Sequence, residues 1–163
     1  ADGRVTTLAG NGVGAHRDGD GAQAQFNKPS GLCVDSEGVM YVADSDNNRI
    51  RRITRDGQVS TVAGNGQGGH QDGNGTAASF KYPTGIAVDG AGSLFVAESN
   101  SHRIRKIAVD GQVTTVAGTG QHGLQDGDGN QALFYSPWSL AIDDEGSIFV
   151  TDEYNHRIRK ITG

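Results

Sequence analysis

The chain has 163 residues, 26 of them Gly, and a net charge of −5 from 14 basic and 19 acidic side chains. Counting Gly as apolar and leaving out Tyr gives about 47% apolar residues, the share of an ordinary globular domain, which excludes disorder as a default. No run of about 18 apolar residues and no basic-then-apolar leader occurs, so the expectation is a soluble chain with no membrane span or signal peptide. The single Cys33 excludes an internal disulfide and leaves the compartment undetermined.

Three units of 54 residues, 2–55, 56–109 and 110–163, open on Asp2-Gly3, Asp56-Gly57 and Asp110-Gly111 with no insertion or deletion between them. In chain order each unit begins with a stretch of strand character, Val5 to Ala9 in unit one. A Gly-rich segment follows, Gly10 to Lys28, holding DGxG and then an Ala and a Phe that read as anchors: Ala24 and Phe26, Ala78 and Phe80, Ala132 and Phe134. Pro29, Pro83 and Pro137 occupy one repeat position. After them come Leu32 to Val34, a hairpin-type turn at Asp35 to Gly38, and a third stretch from Val39 to Ala43. The turn recurs at Asp89 to Gly92 and at Asp143 to Gly146. The fourth stretch, Arg49 to Ile53, does not alternate, because Ile50 and Ile53 differ in parity, so a bulge or an early strand end is expected. No helical period appears.

Four antiparallel strands per unit at a period near 50 predict an all-β β-propeller with three four-stranded blades per chain. Propellers close with about 4–8 blades, and the multiple of three in that range is six. Two copies are therefore expected to form one six-bladed homodimeric ring, since a half-ring would expose two apolar blade faces.

Unit one reads PxGLxVDxxGxxYVADxxNNRIRxI; PTGIAVDGAGSLFVAESNSHRIRKI and PWSLAIDDEGSIFVTDEYNHRIRKI follow in units two and three. These segments resemble the NHL repeat, over essentially the whole chain. The resemblance implies a six-bladed propeller whose blades run from the inner strand after the Pro to an outer strand reading VTTLAG. It places that outer strand first here, so the blade ending at Ile161 lacks its fourth strand. By the same resemblance, the first strand of a partner chain completes that blade, twice by two-fold symmetry. A start at a blade boundary is also what a half-propeller excised from, or engineered on, a longer parent would have.

Candidate chemistry is sparse. The DGxG elements at Asp18, Asp72 and Asp126 do not match an EF-hand loop, because His16, His70 and Leu124 stand where its first Asp belongs and Asn27, Lys81 and Tyr135 where its Glu belongs. They read as turns in which Gly supplies positive φ and Asp caps its own backbone. His102 and His156 align with Asn48 and fall in the family's NHR motif, implying that they hold the loop before the third blade strand. Neither they nor His16 and His70 supply one ligand per unit, so no cofactor is expected, with Ca or Zn as the minor alternative. The acids Asp44, Glu98 and Asp152 precede Arg49, Arg103 and Arg157 by five residues and predict a repeated ion pair. Nucleophile elbow, P-loop and HExxH motifs are absent, and the thiol lacks a positioned base.

The net negative charge argues against nucleic acid, because Arg17, Lys28, Lys81 and Tyr82 are diluted by Asp18, Asp20, Asp46, Asp72 and Glu98. Residues peculiar to one unit are the candidates for a specific site. Trp138, Tyr135 and Tyr154 mark unit three, and Lys81, Tyr82, His102 and His156 share the loop face that the resemblance makes a binding surface for a protein, peptide or sugar. The expected function is a non-enzymatic assembly and binding scaffold. The alternative is a metal-dependent hydrolase or lyase of the six-bladed type, with its site on the channel axis.

Overall fold

The computed structural model describes residues 3–163; Asp2, which opens the first unit, lies outside them. The strands are β1 (Gly19–Asp20), β2 (Pro29–Val34), β3 (Met40–Asp44), β4 (Arg49–Ile53) and β5 (Gln58–Ala63) in the first sheet. The second holds β6 (Gly73–Asn74), β7 (Pro83–Val88), β8 (Leu94–Glu98), β9 (Arg103–Ile107) and β10 (Gln112–Ala117). The third holds β11 (Pro137–Ile142), β12 (Ile148–Asp152) and β13 (Arg157–Ile161). Their orders are β1-β5-β4-β3-β2, β6-β10-β9-β8-β7 and β11-β12-β13, so each complete sheet has four long strands and a two-residue fifth.

Local chemistry explains where the strands turn. In the β2–β3 hairpin the Asp35 carboxylate accepts the N–H groups of Glu37 and Val39, both at 2.9 Å, while Gly38 takes φ 78°. Asp89 and Asp143 do the same work in the other two hairpins. The expected bulge exists, but on the facing strand: the β4–β5 register shifts between Ile50 and Arg51, and the β9–β10 register shifts between Thr115 and Ala117. Opposite parity at Ile50 and Ile53 has another cause. Both faces of a blade are covered, so Ile50 packs toward the second blade and Ile53 toward the first blade's other face.

The core lies between blades. One cluster joins Ala43, Ile50 and Ala63 of the first blade to Phe80, Ile86, Leu94 and Val96 of the second. Another joins Phe95, Ala97 and Ile104 to Phe134, Ile148 and Val150 of the third. Each large apolar side chain so buried contributes about 2 kcal/mol. Inner strands of successive blades meet backbone to backbone: a Cβ on Gly31 would sit 2.3 Å from the Thr84 carbonyl oxygen, and one on Gly85 would sit 2.4 Å from that of Trp138.

Val5 to Ala9, expected as a strand, forms none in this chain, and Val5 is 93% exposed. Its repeat equivalents β5 and β10 are strands because β4 and β9 offer them an edge. A groove of about 840 Å³ lies between residues 124–129 and β13.

Candidate functional site

One guanidinium group organises the outer half of each blade, fully buried in the first two and slightly exposed in the third. Arg51 on β4 is fully buried and donates from Nη1 to Asp44 Oδ2 at 2.7 Å and to the Gln25 carbonyl at 2.9 Å. Its Nη2 donates to Asp18 Oδ1 at 2.7 Å and to the Arg17 carbonyl at 2.8 Å, and the group lies 4.9 Å from the Phe26 ring centroid. Arg105 repeats this with Glu98, Asp72 and Phe80, and Arg159 with Asp152, Asp126 and Phe134. This corrects the expected ion pair. Asp44, Glu98 and Asp152 bind the second arginine of RIR, not Arg49, Arg103 or Arg157. Arg49 lies directly across from Asp44 in register, but its guanidinium runs to the carbonyls of Asn47 and Asn65. The diagonal arginine reaches the acid and finds a closed ring of acceptors.

The DGxG reading needs a second correction. Gly19 and Gly127 do take positive φ, at 127° and 143°. The Asp before the first Gly binds outward instead of capping its own backbone: Asp18 accepts the Arg51 guanidinium and, at 3.1 Å each, the N–H and O–H of Thr61 on β5. Asp72 repeats the pattern with Arg105 and Thr115. In the second blade the Glu98 carboxyl is pushed above its ordinary range by burial, against the pull of Arg105, and Arg105 Nε is left without a partner.

On the loop side of the joint between the second and third blades, four rings gather. His122 stacks on Tyr135 at 4.9 Å, His102 meets both edge-on at 5.9 and 5.7 Å, and Tyr154 meets Tyr135 edge-on at 5.1 Å. The backbone fixes them. His102 has φ 55°, and its Nδ1 accepts the Ser136 N–H at 3.1 Å, which leaves the proton of the neutral ring on Nε2. Tyr135 N–H donates to Asp152 Oδ1 at 2.7 Å. Burial, and then His122, holds the His102 pKa below the ordinary imidazole value. Tyr154 and Tyr135 present 58% and 37% of their surfaces to solvent.

His102, Tyr135 and Tyr154 from the sequence candidates therefore come together; Trp138, His156 and Tyr82 make no ring contact with them among the described residues, and Lys81 acts on His102 through its charge alone. Trp138 sits on the inner strand β11, 42% exposed, without a ring contact to the cluster among the described residues. His156 is exposed at the open end of the third blade. The expected loop-holding role of His102 proves to be a link to the next blade, as in unit one, where Asn48 Oδ1 accepts the Tyr82 N–H at 2.9 Å. Lys81 keeps its side chain in solvent. His122 was missed in the sequence although a signal existed, since Gly14 and Gly68 hold its place in the other units. Among the described residues no group of three or more His, Cys, Asp or Glu could hold a metal ion. The Cys33 thiol is pushed up to about 12, chiefly by burial and then by Asp35, which removes it as a nucleophile near neutral pH.

No helix among the described residues is long and apolar enough to cross a membrane. The chain is 33% identical over 154 residues to NHL repeat-containing protein 2 of Bos taurus, covering 84% of this chain and 21% of the bovine protein. A crystal structure of an auxiliary nutrient binding protein from Bacteroides ovatus superposes with a TM-score of 0.70 at 29% identity, over 80% of this chain and 36% of that one. A gluconolactonase from Xanthomonas campestris superposes with a TM-score of 0.55 at 19% identity, over 76% and 34%, and shares the β-propeller fold alone. The chain thus spans about a fifth of the bovine relative and about a third of each superposed structure. The NHL repeat profile matches residues 26–53, 80–107 and 134–161, each running from the anchoring Phe or its neighbourhood through β13 or its equivalent, and the chain belongs to the NHL-repeat family.

Proposed function

We propose that this chain works by association and not by catalysis. Two copies close into a six-bladed ring, and the face around His102, His122, Tyr135 and Tyr154 is offered to a further molecule, a peptide, protein or sugar that stacks on exposed rings. The observation that carries the reading is the contrast between the ends of the half-ring and its interior. Leu32 on the first blade is 63% exposed where its equivalent Ile86 is 5% exposed. Ile158 on the third blade is 70% exposed where Ile50 and Ile104 are fully buried. Each end thus presents apolar surface that the other end's equivalents bury at an interior joint, and such surface drives association.

The charges common to the units favour the same reading, because in the buried Arg–carboxylate sets every guanidinium is paired with two carboxylates of its own blade. The name of the Bacteroides structure, a nutrient binding protein, accords with a binding role, whereas the gluconolactonase contributes fold only. The test is mass in solution by light scattering behind a sizing column. The expected value is about twice 17.0 kDa, held over a wide concentration range. A mass of 17.0 kDa at every concentration overturns the ring.

A further inference from the structure

We infer that His102 is an acid-sensitive latch across the joint between the second and third blades, and that protonating it takes the ring patch apart; what this does to a bound molecule rests on the binding face proposed above. The latch lies at an interior joint, with His102 between β8 and β9 on one side and the segment before β11 on the other. Its Nδ1 accepts the Ser136 N–H at 3.1 Å, which only a neutral ring can do. An imidazolium carries a proton on each nitrogen, so the charged ring turns a donor toward a donor and the link is lost.

The consequences run along the chain from Ser136. That residue is 7% exposed, and a buried N–H left without an acceptor is costly. Its φ of 59° is a left-handed backbone that a serine keeps only where its surroundings hold it. The Ser136 carbonyl accepts the Glu153 N–H at 3.3 Å, and the Tyr135 carbonyl accepts the Tyr154 N–H at 3.1 Å. Releasing Ser136 therefore frees the backbone that carries Tyr135 and, through it, Tyr154. The stack of Tyr135 on His122 and its edge contact with Tyr154 make up the patch, so the patch goes with the link.

The surroundings do not compensate a positive charge on this ring. Lys81 and Arg103 face it from the second blade and His122 from the third, the last at 5.9 Å between ring centres, and each opposes protonation. Tyr135 brings a ring and no charge. The acid that acts on His102 is Asp152, which is fully buried and already accepts the Tyr135 N–H, Asn155 Nδ2 and Arg159 Nη1 at 2.7 to 2.9 Å. A charge forced onto His102 in acid is thus felt as repulsion within the cluster.

The joint between the first and second blades is built the same way without the titration. Asn48 holds the place of His102, and its Oδ1 accepts the N–H of Tyr82, whose φ is 55°. Gly68, Lys81 and Asn100 stand there in place of His122, Tyr135 and Tyr154. The titratable latch and the ring patch occur together at one joint and are both lacking at the other, which ties the one to the other.

The test compares two amides in one molecule. Hydrogen exchange at Ser136 and Tyr82, each divided by its intrinsic rate at the same pH, is measured at about pH 7.5 and 5 on the unsubstituted chain and on His102→Asn. On acidification Ser136 and Tyr154 are expected to lose protection at least about tenfold, while Tyr82 keeps its own. His102→Asn installs the residue that serves at Asn48 and is expected to keep Ser136 protected at both pH values. Equal Ser136 protection at the two pH values, or a loss that survives in His102→Asn, overturns the latch. A parallel loss at Tyr82 shows the whole stack loosening and overturns it too. Each of these outcomes leaves the face at neutral pH as it is, so the binding reading survives them. A mass of 17.0 kDa at every concentration, which overturns the ring, leaves the latch standing, because both of its sides belong to one chain.

Discussion

Arg51, Arg105 and Arg159 share one strand position, but their surroundings differ enough to separate their effects. Arg51 holds the fully buried Asp44 through a 2.7 Å bond, so Arg51→Met strands a carboxylate inside the protein at a cost of about 3–5 kcal/mol. Arg105 reaches Glu98 diagonally; burial pushes that carboxyl above its ordinary range, it keeps the Ser101 hydroxyl as a donor, and Arg105 Nε lacks an acceptor. Arg105→Met is therefore expected to cost less, by about 1–3 kcal/mol. Urea denaturation midpoints of the two variants check the order, and equal or reversed midpoints refute it. His102 supplies a second residue-scale prediction. Its neutral ring accepts the Ser136 N–H, burial depresses its pKa, and so the unfolded chain takes up a proton before the folded one. Its contribution is complete above the ordinary imidazole pKa of about 6.5 and is lost as pH falls through that value toward the lower folded one. His102→Asn, the residue that unit one uses at Asn48, keeps the acceptor and removes the titration. The fall in melting temperature between about pH 7.5 and 5 should shrink in this variant without vanishing, because His16 and His70 are depressed too.

At the scale of the strand, the inner edges decide how closely blades approach. Gly31 and Gly85 admit the next blade's carbonyl at distances that no side chain allows, and Ser139 holds the third such position. In the proposed ring, the joint beyond the third blade would therefore be wider at its inner edge than the two interior joints. Ser139→Gly is expected to lower the dimer Kd several-fold, roughly the effect of one relieved contact; an unchanged or raised Kd means that the inner edges do not meet there. Much of this level was legible in the sequence. The Asp35-to-Gly38 turn and the runs rich in Val, Ile and aromatic residues located β2 to β4 and their repeats, with β2 beginning at Pro29, ahead of the Leu32 expected, and β3 beginning one residue later than Val39. The partner of Asp44 was not legible, because alternation puts Arg49 and Arg51 on the same face and says nothing of which one turns inward. His122 was visible only as a difference from two glycines, and its stacking on Tyr135 depends on a loop path that no local pattern specifies. The Gly-rich segment read as a long loop, yet Asp18 and β1 inside it cap the outer strand of the blade.

For the whole molecule, identical strand types acquire different burial from their place in the stack. Five of the six residues of β7 are buried, and those of β2 are largely exposed, although both hold one position in the repeat. A period of 54 residues announces the blade, but burial is a property of having a blade on either side, which no single unit encodes. In the ring proposed above, the first and third blades at opposite ends of the half-ring would meet, so the joint would be head-to-tail and one geometry would serve every junction. Such a joint closes after two members only if three blades sweep half a turn. A smaller or larger arc, with the same affinity, would add members without end and give an open filament. For the proposed ring the angle matters as much as the affinity, and Gly31 and Gly85, where neighbouring inner strands touch, are placed to set it.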